Sequence, residues 1–176
     1  MRVDATATVI PFTLTQGKAE SHMAQAFQAV DPNFEARVRD SFARQGAMRL
    51  IGASMGRVEP GYCEIELPYR EDLTQQHGLF HGGMVSAIAD TAGGYATYTL
   101  FPAEDSLLTV EYKINLLAPG AGDKLVAYGR VKKSGKTLTV CELEVMAVKQ
   151  DRQTLCACGL ATLIRLVGRP DRPRTG

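Results

Sequence analysis

The spacing of hydrophobic and polar positions changes along the chain, and each change marks a predicted element. Phe34, Val38 and Phe42 recur every fourth residue, which predicts a short amphipathic helix over 32–45. Elsewhere the two classes of residue alternate, as they do in a strand with one buried face. The strands predicted in this way are 49–58, 62–67, 108–116, 124–133, 136–149 and 154–166.

A different pattern fills the segment between the second and third predicted strands. From Met84 to Leu100, small or apolar residues occur on every side of a helical wheel, which predicts a helix buried all round. Gly93 and Gly94 cost this helix about 2 kcal/mol relative to alanine, which is tolerable where something approaches the helix closely. The economical arrangement is an α+β fold, in which a curved antiparallel sheet of five to six strands wraps around this one helix.

The chain of 176 residues has room for one ordinary domain. We expect a poorly specified N-terminal segment over 1–30, within which Met23 is an alternative start. A single domain is predicted over 31–166, with its core over 47–166. The Arg- and Pro-rich end, 167–176, predicts a short disordered tail.

Charge and cysteine content exclude several classes of protein. The net charge of +1 provides no general attraction to nucleic acid or to an anionic membrane. The N-terminus lacks a basic start followed by a long apolar run, so we expect a cytoplasmic protein rather than a secreted one. No cysteine lies in a CxxC pair, which predicts reduced apolar thiols and no metal or other cofactor. The cysteines are Cys63, Cys141, Cys156 and Cys158.

Asp90 is the most informative single residue. It is the only residue with a formal charge between Asp72 and Glu104, and it lies in the middle of the apolar helix. Burying an isolated carboxylate costs several kcal/mol unless it is hydrogen-bonded or paired. Asp90 is therefore either a structural residue bonded to backbone or to Thr91, or a functional carboxylate of raised pKa that acts as base or nucleophile.

The helix begins with His81, Gly82 and Gly83. Two glycines leave backbone N–H groups uncovered at the positive end of the helix dipole, where they can hold an oxyanion. The alternative is a tight turn that merely needs glycine, with His81 bonded to backbone at the helix entry. We include His81 and Gly83 among the candidate substrate-binding residues.

Lys133 and Lys136 flank a predicted hairpin turn at Ser134-Gly135. Lysines favour the solvated surface of such a hairpin. They also suit a phosphate site for a substrate that carries a nucleotide. The residues alone leave both interpretations open.

Two longer sequence strings resemble those of a known protein family. The string HGLFHGG at 77–83, followed by ADTA at 89–92, resembles the hotdog-fold thioesterases of the PaaI type. LTVEY at 108–112 and KSGK at 133–136 are also similar to that family, so the resemblance covers about 47–166. It implies a hotdog fold and a role in acyl-CoA metabolism, with coenzyme A as part of the substrate.

The resemblance also implies roles for individual residues. The acid on the central helix, here Asp90, activates water or attacks the thioester, and the Gly82 amide binds the thioester oxygen. Gln75 stands where the family often has Asn and helps to position water. Thr109 assists at the start of the following strand. The phosphates of coenzyme A lie near the hairpin at 133–136.

Thr109 departs from this picture in one respect. By simple alternation it points in the same direction as Glu111 and Lys113, on the polar face of its strand. We therefore expect it to reach the site only if that face lines a cleft at a subunit boundary.

The leading hypothesis is an acyl-CoA thioesterase. A hotdog hydratase or dehydratase is the alternative enzyme, but it needs a His–carboxylate pair, and no second acid lies near His77 or His81 in sequence. A non-catalytic acyl-CoA-binding protein is the third possibility, although a sensor has no need of a charged Asp90.

The geometry of the helix predicts a shared site. Gly82 and Asp90 are eight residues apart, or about 12 Å along a helix axis, so one helix cannot offer both to one carbonyl group. Two antiparallel helices in a two-fold dimer can do so. We expect a homodimer or dimer of dimers, with Gln75 on the Gly82 side of each site.

Overall fold

The computed structural model describes residues 27–172, and most of the predicted N-terminal segment, including Met23, lies outside this range. Over these residues, three helices and six strands are accompanied by a single 3₁₀ turn, Glu71–Leu73. The helices are α1 (Phe34–Ala43), α2 (Gly46–Ile51) and α3 (Gly82–Tyr98). The strands are β1 (Ser54–Glu59), β2 (Tyr62–Pro68), β3 (Ser106–Leu116), β4 (Lys124–Ser134), β5 (Leu138–Lys149) and β6 (Arg152–Leu166).

The six strands form one sheet in the order β1-β2-β4-β5-β6-β3, and every neighbouring pair is antiparallel. The sheet packs around α3, which confirms the predicted α+β architecture. The closest approach is at Gly129 on β4, where a Cβ atom would lie only 2.3 Å from the carbonyl oxygen of Ala92. Glycine at this position therefore allows the helix to lie directly on the sheet.

The first predicted strand was too long at its N-terminal end. Residues 49–53, predicted as strand, instead include the end of α2, and Gly52 closes that helix with a φ of 76°. Leu50 and Ile51 are consecutive apolar residues, and so short a run fits a helical turn as well as a strand. Glycine accepts the left-handed conformation at Gly52 and turns the chain into β1.

A β-bulge in β3 changes which side chains face the helix. Thr109 pairs with Leu163 and Glu111 with Thr162, so Val110 is the extra residue between two pairs. Thr109 therefore faces α3, whereas Glu111 bonds to Thr162 on the outer face. The prediction that Thr109 shares the face of Glu111 was wrong, because simple alternation does not allow for a bulge.

The central helix is less completely covered than predicted. Its sides toward the sheet are buried, but Ala87, Asp90 and Gly94 are only partly buried in the single chain. These residues recur at three- and four-residue spacing, so they form one open stripe along the helix. The only charged residue of α3 lies in this stripe.

The segment after β6 has defined contacts as far as the structure describes it. The N–H of Gly168 donates to the carboxylate of Asp105 at 2.8 Å, and Arg165 also donates to that carboxylate. Asp171 accepts from Arg44 at 2.9 Å and from the hydroxyl of Ser41. Gly168 and Asp171 therefore attach the start of the predicted tail to the domain, while residues 167–172 remain exposed.

The thiols do not form disulfide bonds, and three of the four are buried. Burial raises the pKa of Cys63 and Cys141, so both remain protonated and unreactive. Within residues 27–172 there is no group of three or more His, Cys, Asp or Glu side chains that could hold a metal ion. None of the helices in that range is long and apolar enough to cross a bilayer.

Candidate active site

The carboxylate of Asp90 lies in a cavity of about 230 Å³ between α1, α3 and β3. The hydroxyl of Thr109 donates a hydrogen bond of 2.8 Å to Asp90 Oδ1. Burial raises the pKa of Asp90, and the Thr109 hydrogen bond opposes this by lowering it. The carboxylate is thus partly desolvated and held in one orientation, yet it still faces an open cavity.

The structural interpretation of Asp90 predicted a bond to backbone or to Thr91, but the hydrogen bond that the structure shows comes from Thr109. Thr91 is buried, and its hydroxyl lies 3.6 Å from the sulfur of Met48 on α2. Thr109 reaches Asp90 from β3 because the bulge at Val110 turns it toward the helix. Asp90 is therefore held from across the cavity, and its second oxygen has no partner within the described residues.

His81 caps the N-terminus of α3. Its Nδ1 accepts a 2.9 Å hydrogen bond from the N–H of Gly83, which is the backbone contact expected for this histidine. The Gly83 donor is therefore occupied. Within residues 27–172 the N–H of Gly82 has no acceptor, so it remains available to a ligand at the positive end of the helix.

Gln75 lies in the tight loop that leads to this helix end. The side-chain oxygen of Gln75 accepts a hydrogen bond from the backbone N–H of His77 at 2.6 Å. The backbone N–H of Gln75 donates to the carbonyl oxygen of Leu79 at 2.8 Å. Gln75, His81 and Gly82 line a second cavity, of about 370 Å³. Leu116 from the end of β3 forms another wall of it.

The predicted catalytic residues thus fall into two groups in one chain. Asp90 and Thr109 share one cavity, whereas Gln75 and Gly82 share the other. Each group includes one residue of α3, because Gly82 begins the helix and Asp90 lies two helical turns further along it. The structure does not bring the carboxylate and the free N–H together within one chain.

Lys133 and Lys136 lie in neither group. Both are exposed at the β4–β5 hairpin, and within the described residues neither forms an ion pair. In the sheet, β6 lies between this hairpin and β3, since Leu138 pairs with Ile164 on β6 and Ile164 pairs with Leu108. Neither lysine lines the Asp90 cavity.

Sequence reasoning missed the polar end of the Asp90 cavity. Ser41, Tyr95 and Asp171 line it, and the hydroxyl groups of Ser41 and Tyr95 lie 3.1 Å apart. These residues come from α1, α3 and the C-terminal segment, so no local sequence pattern connects them. Burial raises the pKa of Tyr95 to about 12, which keeps this phenol neutral.

Gly94 also lines this cavity, and its surroundings differ from those of Gly93. A Cβ atom at Gly93 would lie 2.6 Å from Leu143 on β5, so Gly93 is needed for packing against the sheet. At Gly94 the nearest atom to such a Cβ is a methyl group of Leu107, at 3.9 Å. Gly94 therefore leaves space beside Asp90.

Comparison with known proteins places this chain in a family. The model of the thioesterase superfamily matches residues 77–154. A thioesterase family protein from Silicibacter pomeroyi is 41% identical, with a TM-score of 0.75 over 77% of this chain and 99% of that one. A predicted esterase from Saccharolobus solfataricus is 32% identical over 127 residues, which cover 72% of this chain and 82% of the relative. The acyl-coenzyme A thioesterase PaaI of Escherichia coli is 27% identical over 116 residues, or 65% of this chain and 79% of its own.

The chain therefore belongs to the thioesterase superfamily and has the hotdog fold. It is of the PaaI type, as the strings at 77–83 and 89–92 indicate, and its activity is thioester hydrolysis.

Proposed function

We propose that the protein hydrolyses acyl-CoA thioesters to a free acid and coenzyme A, in a site shared between two copies of the chain. The observation that carries this proposal is the position of Asp90, a partly buried carboxylate oriented by Thr109 and open to a cavity. The similarity to a named acyl-CoA thioesterase supports the choice of substrate class.

In this proposal the thioester carbonyl lies between Asp90 of one chain and the Gly82 N–H of the other. Asp90 takes a proton from water as the water oxygen attacks the carbonyl carbon, and Gly82 N–H stabilises the oxyanion that forms. The carbon–sulfur bond then breaks, and the thiolate of coenzyme A takes up the proton. Gln75 orients the attacking water from the Gly82 side.

The same geometry serves a second route, in which an Asp90 oxygen attacks the carbonyl carbon directly. Coenzyme A then leaves before water hydrolyses a mixed anhydride. Hydroxylamine distinguishes the routes, because it converts an anhydride on Asp90 to a hydroxamate with a characteristic mass. Recovery of unmodified Asp90 during turnover assigns the role of general base.

The proposed reaction needs two copies of the chain, because Asp90 and Gly82 line two separate cavities of one chain. β3 lies at the edge of the sheet and exposes apolar side chains, among them Leu108 at 59% and Leu116 at 59%. An exposed edge strand of this kind is a template for pairing with another chain. Pairing of two β3 edges about a two-fold axis makes the α3 helices antiparallel neighbours, so that each Gly82 approaches the Asp90 of the other chain.

The alternatives lack support from contacts. Within residues 27–172, neither His77 nor His81 forms a pair with a carboxylate, as a hydratase or dehydratase requires. A non-catalytic acyl-CoA-binding protein would have no use for a carboxylate whose burial raises its pKa. We therefore retain hydrolysis as the proposed activity.

The first prediction tests the role of Asp90. Asp90→Asn should lower the rate of acyl-CoA hydrolysis by about 10²- to 10⁴-fold, the usual effect of losing a general base. Thiol release from aryl and short- to long-chain acyl-CoA esters measures this, and the panel also identifies the acyl group. Turnover close to that of the unchanged protein would refute the mechanism.

The same variant should fold at least as stably as the original at neutral pH. The pKa of Asp90 is raised in the folded state, so the ionised carboxylate destabilises the fold above that pKa. This cost disappears as the pH falls through the raised pKa toward the unfolded value, and the stability advantage of the amide should disappear with it. Thermal unfolding at several pH values provides the control that lost activity is not lost structure.

A further inference from the structure

The segment that follows β6 reaches the Asp90 cavity, where Asp171 lines one end of it. β6 ends at Leu166, and Gly168 then adopts a φ of 64°, which reverses the direction of the backbone. The N–H of Gly168 donates to Asp105, a carboxylate that is only 1% exposed. This buried anchor fixes where the following residues begin, and we refer to residues 167–171 as the C-terminal strap.

The other end of the strap is held by a second set of polar contacts. The carboxylate of Asp171 accepts from the hydroxyl of Ser41 and from the guanidinium of Arg44, and Arg44 also donates to the Asp171 carbonyl at 3.2 Å. Ser41 in turn lies within 3.1 Å of the Tyr95 hydroxyl. The strap is therefore connected to α1 and, through Ser41, to α3.

These contacts lie at one end of the cavity that contains Asp90. Asp171, Ser41 and Tyr95 all line that cavity, and Tyr95 is five residues beyond Asp90 on α3. A carbonyl between Asp90 and a partner helix N-terminus has two substituents. The coenzyme A arm carries charged phosphates and must lead to solvent, whereas the acyl group can occupy a closed cavity. We therefore expect an acyl group to stop at the end lined by Asp171.

We propose that the C-terminal strap holds Asp171 at the end of the acyl cavity and thereby sets the longest acyl group that the enzyme accepts. This proposal rests on the proposed function, since it concerns the same cavity. Asp171 is a positioning residue in this scheme, because it holds the strap against α1 and does not touch the reacting atoms. The absence of a side chain at Gly94 widens the cavity, and Asp171 limits its length.

The test compares Asp171→Ala with the unchanged full-length protein on a series of straight-chain acyl-CoA esters from two to sixteen carbons. Asp171→Asn is the conservative variant, because its amide oxygen can still accept from Ser41 and Arg44. Asp151→Ala is the matched control, since Asp151 is exposed in the β5–β6 turn and has no hydrogen bond within the described residues. Hydrogen–deuterium exchange of the peptide over 167–172 reports whether the strap has been released.

In Asp171→Ala we expect faster exchange over 167–172 and a longer limiting acyl chain. For the first ester that the unchanged protein rejects, kcat/KM relative to a short ester should rise about tenfold, the effect of one methylene group in an enzyme pocket. Asp171→Asn should restore much of the original chain-length limit, and Asp151→Ala should match the unchanged protein. A merely structural role for Asp171 would lower activity on all esters together and leave the limit unchanged.

Two results would overturn the proposal. One is a released strap, shown by faster exchange, with the original chain-length limit. The other is unchanged exchange in Asp171→Ala, which would show that these contacts do not hold the strap. If the unchanged protein hydrolyses neither this series nor the aryl-CoA esters, the proposed function fails instead, and the exchange measurement still tests how the strap is held.

Discussion

At the scale of single residues, the proposed site is centred on the carboxylate of Asp90, whose pKa is subject to two opposing influences. Burial raises the pKa of Asp90, and the hydroxyl of Thr109 lowers it. A base must be ionised at working pH and yet be basic enough to accept a proton, so the balance between these influences matters. The position of Asp90 could be predicted from the sequence, because it is the only charged residue on an apolar helix. The orientation of Thr109 toward α3 could not be predicted, because the bulge at Val110 does not change the alternation of polar and apolar residues.

Thr109→Val tests this balance without changing the size of the side chain. Removing the hydroxyl leaves burial unopposed, so the pKa of Asp90 should rise further. The acid limb of the pH profile of kcat/KM reports ionisation of the base and should move to higher pH. Thr162→Val is the control, because Thr162 bonds to Glu111 on the outer face of the neighbouring strand. An acid limb that does not move would show that Thr109 does not influence Asp90.

At the scale of elements, the site depends on how closely α3 lies against the sheet. The length of α3 and five of the strands could be predicted, because the spacing of hydrophobic residues records which faces are buried. The short helix α2 could not, since six residues are too few to establish a helical period. The proximity of Ser41, Tyr95 and Asp171 could not be predicted either, because it depends on the three-dimensional path of the chain.

Two glycines at this contact should respond differently to the same substitution. Gly129→Ala places a methyl group against the Ala92 carbonyl and should cost about 1–3 kcal/mol in stability, because backbone cannot move aside easily. Gly94→Ala should instead stabilise the helix by up to about 1 kcal/mol, since the added methyl group would lie at an ordinary contact distance of 3.9 Å from Leu107. Chemical denaturation of both variants measures the contrast. Equal destabilisation would mean that Gly94 is also packed.

At the scale of the whole molecule, the proposed mechanism needs two chains for each site. Asp90 and Gly82 line separate cavities of one chain, and no Asp or Glu of the described residues lines the Gly82 cavity. The exposed apolar edge formed by β3 offers the surface through which two chains can complete each other. The β4–β5 hairpin is separated from the start of that strand by β6. The distance between Gly82 and Asp90 could be predicted from the sequence, because eight residues span about 12 Å along a helix axis.

Changing Lys133 and Lys136 together to Ala tests whether this hairpin binds the phosphates of coenzyme A. KM for acyl-CoA should rise by about tenfold or less, because exposed charges contribute modestly. KM for a short pantetheine thioester, which lacks the nucleotide, should not change. Equal losses on both substrates would show that the hairpin has another role.

Re-pairing of two inactive variants tests the shared site most directly. Gln75→Ala and Asp90→Asn each damage both sites of a homodimer, but a heterodimer collects both defects in one site and leaves the other intact. Random re-pairing of equal amounts makes about half of the dimers mixed, each with one working site, so about a quarter of the original activity should return. Subunit exchange is verified by native mass spectrometry of the mixture. Recovery to about a quarter supports a site made by two chains; verified exchange with no recovery would contradict it.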